Sequence, residues 1–72
     1  MPPDMRDVPI RDDIIRLGQA LKLSGLADSG GEARGLVAQG AVTVNGEVET
    51  RRGRQLHRGD VVAVGEETVR IA

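Results

Sequence analysis

Ser29-Gly30-Gly31-Glu32-Ala33, then Leu36-Val37, then Gly40-Ala41-Val42-Thr43-Val44-Asn45-Gly46-Glu47-Val48, is the stretch that decides the fold. Its first half starts with a capping box. The Ser29 hydroxyl can accept from a free amide of the first helical turn, while Glu32, three residues on, reaches back. Ala33, Leu36 and Val37 then share the inner face of a helix that Gly40 ends. Beyond Gly40 the apolar period shortens from helical to alternating, and the dipeptide Asn45-Gly46 marks a β-hairpin. A two-residue turn there would pair Val44 with Glu47. A three-residue loop would set Val44 opposite Val48, and burial of both valines favours that longer loop.

Upstream, Ile14, Leu17 and Leu21 recur at helical spacing and predict a first helix with a buried stripe. Asp12 or Asp13 is its expected cap, Arg16, Gln19 and Lys22 lie on the opposite arc, and Gly25 ends it. Only Leu26, Ala27 and Asp28 separate the two helices, which predicts a tight helix-turn-helix-like pair. Further upstream, Met5 to Ile10 with Pro9 reads as a short edge strand or extended arm, after a frayed tail over residues 1–4. Downstream of the hairpin, Arg58-Gly59-Asp60 turns into a strand over Val61 to Val64, and a last strand lies around Thr68 to Ile71. The expected fold is therefore α+β: two helices on a small, mostly antiparallel sheet of about four or five short strands, with residues 1–72 as a single unit.

Composition narrows the function. A chain of 72 residues forms one thin core and leaves little for a deep, dry cleft, which argues against an enzyme. With no Phe, Tyr or Trp, the core must be built from 9 Val, 6 Leu, 4 Ile and 7 Ala. The absence of cysteine excludes disulfides and zinc-thiolate sites. The longest apolar run, Val61 to Val64, is far too short to span a bilayer, and the N-terminus has no hydrophobic targeting segment. A cytoplasmic protein, monomeric and without membrane contact, is expected.

No catalytic or metal constellation stands out. His57 is the sole histidine and cannot make a three- or four-ligand metal site alone, so no metal and no cofactor are expected. The pairs Asp12-Asp13 and Glu66-Glu67 are adjacent in sequence and so diverge, whereas a general acid and base must converge. The bare amides of Gly30 and Gly31 at a helix N-terminus could hold a phosphate, although Glu32 competes with it. Charge distribution says more than the formal total of -1. Residues 50–59 carry Arg51, Arg52, Arg54 and Arg58 and no acid, a local +4 set against an acidic remainder.

As an ordered set, these features resemble the S4 RNA-binding domain, and most closely its small stand-alone YbcJ-like members. The resemblance runs over residues 14–64. It is carried by Arg16-Leu17-Gly18-Gln19-Ala20-Leu21-Lys22, Gly25-Leu26, Ser29-Gly30-Gly31-Glu32-Ala33, Val42-Thr43-Val44-Asn45-Gly46, the segment Glu47 to Arg54, and Gly59-Asp60-Val61-Val62. It implies a non-catalytic protein that binds structured RNA, ribosomal or transfer RNA, with a role in ribosome assembly or translation. Ribosomes or ribosomal proteins are further implied partners. The contact residues it implies are Lys22, Ser29, Gly30, Gly31, Arg34, Asn45, Arg51, Arg52 and Arg54. In the wider family a basic residue typically follows the serine, and Gly30 departs from that pattern. The arginine run would then take over the electrostatic work. Without aromatic side chains, bases cannot stack on rings, which confines recognition to phosphates and RNA shape. The competing class is a protein-interaction adaptor that keeps this fold without strong RNA affinity.

Overall fold

The structure, a computed structural model, describes residues 5–72; the expected tail over residues 1–4 lies outside them. In chain order the elements are β1 (Arg6–Val8), β2 (Ile14–Arg16), α1 (Leu17–Ser24), α2 (Gly30–Ala38), β3 (Val42–Val44), β4 (Glu47–Val48), β5 (Gln55–His57), β6 (Val61–Val64) and β7 (Glu67–Ile71). Five strands form one sheet in the order β1-β7-β6-β3-β4, antiparallel except for the parallel β1–β7 pair at one edge. This is the α+β architecture expected, with one addition: β2 and β5 make a separate antiparallel two-stranded ribbon.

That ribbon overturns the expected start of the first helix. Ile14 is 42% exposed in β2, opposite His57, and is not part of a helical stripe. Neither Asp12 nor Asp13 caps α1; Arg16 occupies the cap position without a side-chain bond. Instead, the amides of Leu17 and Gly18 donate to the carbonyls of Arg54 (2.8 Å) and Arg52 (3.1 Å). A helix needs acceptors for its first amides, and here the chain just before β5 supplies them. The buried face of α1 is Leu17, Ala20, Leu21 and Ser24, the spacing of one helical stripe shifted three residues along. Gly25, at φ +82°, closes α1 with its amide on the Lys22 carbonyl.

In α2 the cap is the expected one: Ser29 Oγ accepts from the Glu32 amide at 3.1 Å. Glu32 reaches back one residue further than a capping box requires, its Oε1 accepting from the Asp28 amide at 3.4 Å. Ala33 and Val37 are buried, and half-buried Leu36 packs against the core.

The hairpin has the shorter turn, contrary to the expectation from burial. Val44 pairs with Glu47 and Thr43 with Val48. Asn45 and Gly46 both have positive φ, +53° and +86°, the conformation of a two-residue primed turn. The Asn45 side chain fixes it, donating to Asp60 Oδ1 (3.1 Å) and accepting from the Val61 amide (2.9 Å). Turn chemistry thus outweighs the burial of one valine, and Val48 stays 62% exposed.

The core is aliphatic throughout. Leu17 and Leu21 of α1, Val37 of α2, Val42, Val44, Val62, Val69 and Ile71 of the large sheet, and Leu56 of the ribbon are its largest fully buried side chains. Each is worth about 1.5–3 kcal/mol of transfer free energy. Glycines outside this core show how local conformation sets stability. Gly35 lies mid-helix in α2 with room for a methyl group, so Gly35→Ala should stabilise the protein by about 0.5–1 kcal/mol. Gly46→Ala, at positive φ, should destabilise by at least about 1 kcal/mol. In thermal unfolding the two midpoints should move in opposite directions by several degrees.

Candidate functional site

Three cations on different elements meet in one open groove of about 380 Å³. Arg16 comes from the end of β2, Lys22 from the outer arc of α1, and Arg52 from the loop before β5. Among the described residues Gly18, Gln19, Gly30, Ala33 and Gly53 complete the lining, which contains no carboxylate. The convergence depends on the bonds that start α1, because they pin the arginine loop to the helix. A Cβ on Gly18 would lie 2.8 Å from Arg52 Cγ, so glycine lets the arginine lie flat across the helix start.

The first turn of α2 reaches the same groove through Gly30. Amides at the start of a helix have no acceptor within it and carry partial positive charge. The Ser29 side chain is engaged as the α2 cap, and Gly31 follows Gly30 in that turn. Arg34 is exposed one turn beyond Gly30 on the same helix face, outside the groove lining. Asn45 is engaged in the hairpin turn.

The arginine run is less free than its formal +4 implies. Glu49, one residue outside the run and buried, accepts four hydrogen bonds from it. Its Oε2 takes the Arg51 amide (3.0 Å) and Arg51 Nε (3.1 Å), and its Oε1 takes Arg51 Nη2 (3.2 Å) and Arg54 Nη1 (3.0 Å). Arg51 and Arg54 line a second depression that shares Gly53 with the groove. Arg58 is tied to Asp13 and to the carbonyls of Ile10 and Ala72, all at 3.0 Å. Among the described residues, Arg52 alone of the four has no carboxylate partner. The expected picture of an acid-free basic segment is corrected accordingly: the segment is acid-free in sequence but paired in space.

Of the residues singled out from sequence, Lys22, Gly30 and Arg52 are brought together, with Arg51 and Arg54 beside them. Sequence reading missed Arg16 and Gln19 as groove residues, although helical spacing sets both on the arc of Lys22; in the structure Arg16 reaches the groove from the end of β2. It also missed Glu49, whose position next to three arginines was the available signal. Asp60 forms a smaller fixed point, its carboxyl held below the usual range by the His57 amide at 2.8 Å and by Asn45.

The side-chain and backbone hydrogen bonds of Arg51, with that of Arg54, lower the Glu49 pKa from 4.5 to about 2. A depressed carboxylate pKa stabilises the fold fully above the unfolded value, and that contribution is lost as pH falls from about 4.5 towards 2. Urea midpoints at pH 7 and pH 3 should therefore converge for wild type and Glu49→Gln as pH falls. At pH 7 wild type should be clearly the more stable.

Known proteins resemble this chain in sequence and fold. The sequence profile of the S4 domain matches residues 8–72. The chain is 44% identical over 57 residues to the "probable ribosome maturation protein RlbA" of Bacillus subtilis, covering 79% of this chain and 80% of that protein. It is 35% identical over 57 residues to the "putative RNA-binding protein YbcJ" of Escherichia coli, covering 79% and 81% of the two chains. Among solved structures, the 30S ribosomal protein S4e of Thermoplasma acidophilum matches with a TM-score of 0.64 at 26% identity. That match covers 83% of this chain and 32% of the ribosomal protein. By the match over residues 8–72 and by these relatives, the chain belongs to the S4 domain family.

Proposed function

We propose that this protein is a non-catalytic module that binds structured RNA, ribosomal or transfer RNA, through phosphates and shape. The observation that carries the reading is the groove in which Arg16, Lys22 and Arg52 converge at the Gly30 end of α2, with no carboxylate among the described residues that line it. Guanidinium forks and an ammonium lining one groove suit the oxygens of neighbouring phosphates. The amides of Gly30 and Gly31 add donors where the wider family places a basic side chain. Arg34, Arg51 and Arg54 extend the contact on either side, while Ser29 and Asn45 shape it by holding the α2 start and the hairpin turn.

The names of the relatives point the same way, one to ribosome maturation and one to RNA binding. A cytoplasmic role in ribosome assembly or translation is the setting that fits them. The described residues include no helix long and apolar enough to cross a membrane. One observation favours the second reading, a protein-contact adaptor: Ile14 and Leu23 are exposed beside Pro9, Ile10 and Ile15. The RNA reading is preferred because the cations converge, which an apolar contact does not require.

The triple variant Arg16→Ala, Lys22→Ala, Arg52→Ala should bind folded ribosomal RNA more weakly. In titrations at several salt concentrations its log–log slope should be shallower by about 2–3, as roughly three fewer counterions are released. An unchanged slope would remove the groove from the contact. Absence of any wild-type shift at low salt, with recovery of a bound protein, would favour the adaptor.

A further inference from the structure

Resting on the RNA reading, we infer that Glu49 is a positioning residue for recognition: its buried carboxylate holds Arg51 and Arg54 as a preset fork beside the basic groove. The geometry is saturated. A carboxylate offers about four acceptor sites, and the Glu49 oxygens receive four bonds, all from Arg51 and Arg54. Arg51 is gripped through Nε and Nη2 as well as its own amide, so both its backbone and its guanidinium plane are fixed. Its Nη1 is left over, on a side chain that is 76% exposed, against 8% for Glu49. The acid is thus hidden behind the arginines, and the edge turned to solvent is a cation.

Two consequences follow. The rotamer freedom that a surface arginine surrenders when it grips a phosphate is already surrendered here, which favours an RNA whose phosphates match the fixed fork. The carboxylate also offsets part of the charge of the run, which lowers attraction to any polyanion irrespective of shape. Both effects favour folded RNA over an unstructured strand. A contact that served stability alone would not alter that preference.

The test compares the affinity of the protein for folded ribosomal RNA with that for poly(U) at one salt concentration. Glu49→Gln keeps the shape of the side chain, removes its charge and releases the fork. Binding to poly(U) should hold or tighten while binding to folded RNA weakens, so that the preference falls by about tenfold. Arg51→Lys retains the cation and Glu49 but cannot make the bidentate grip, so it should lose preference in the same direction and keeps the test open if Glu49→Gln does not fold. Circular dichroism identifies the folded variants. A preference within about twofold of wild type in the folded variants, or equal losses on both RNAs, would overturn the role of Glu49 while leaving the RNA reading intact. A wild-type protein that binds neither RNA would overturn both.

Discussion

The arrangement depends on two backbone hydrogen bonds, from the Leu17 and Gly18 amides to the carbonyls of Arg54 and Arg52. They complete the first turn of α1 without a side-chain cap and at the same time attach the arginine loop to the helix. Either part alone is poorly defined, since a helix of eight residues is marginal in water and a loop of arginines repels itself. Joined, they place Arg52 against Gly18, within one groove with Arg16 and Lys22. A side chain at residue 18 would displace the Arg52 side chain from the helix start.

Electrostatics then divides the arginine run into separate roles. Arg58 ties together the arm at Ile10, Asp13 and the C-terminal carbonyl of Ala72. Arg51 and Arg54 are organised by Glu49, and Arg52 enters the groove without an acid partner among the described residues. A near-neutral chain can in this way concentrate positive charge at one place on its surface.

The parts of the fold that rest on neighbouring residues were legible from the sequence. Ser29 caps α2 because its hydroxyl and the Glu32 amide are three residues apart, and Gly25 closes α1 because no side chain obstructs positive φ. The hairpin turn was legible in kind but not in register, because the alternation of Val42, Val44 and Val48 suits two pairings. Its register is chosen by Asn45, whose side chain bonds with Asp60 and Val61 across the sheet. The start of α1 was misread for a similar reason: Asp12 and Asp13 are sound local caps, but the ribbon claims Ile14–Arg16 first.

From the sequence alone came the order of the two helices and of the strands of the large sheet, the aliphatic core, the lack of a stacking surface and the presence of an unusual density of arginine. These depend on residue type and on spacings of a few residues, over which backbone sterics and local hydrogen bonds act. Which arginine of the run lacks a carboxylate partner among the described residues, and which helix residues meet it, was decided only by tertiary structure. Arg58 finds Asp13 forty-five residues away, and Arg16 lines one groove with Arg52 although four elements separate them in the chain. Ion pairs and grooves form between groups that folding brings within a few ångströms, and linear charge counts carry no record of that distance.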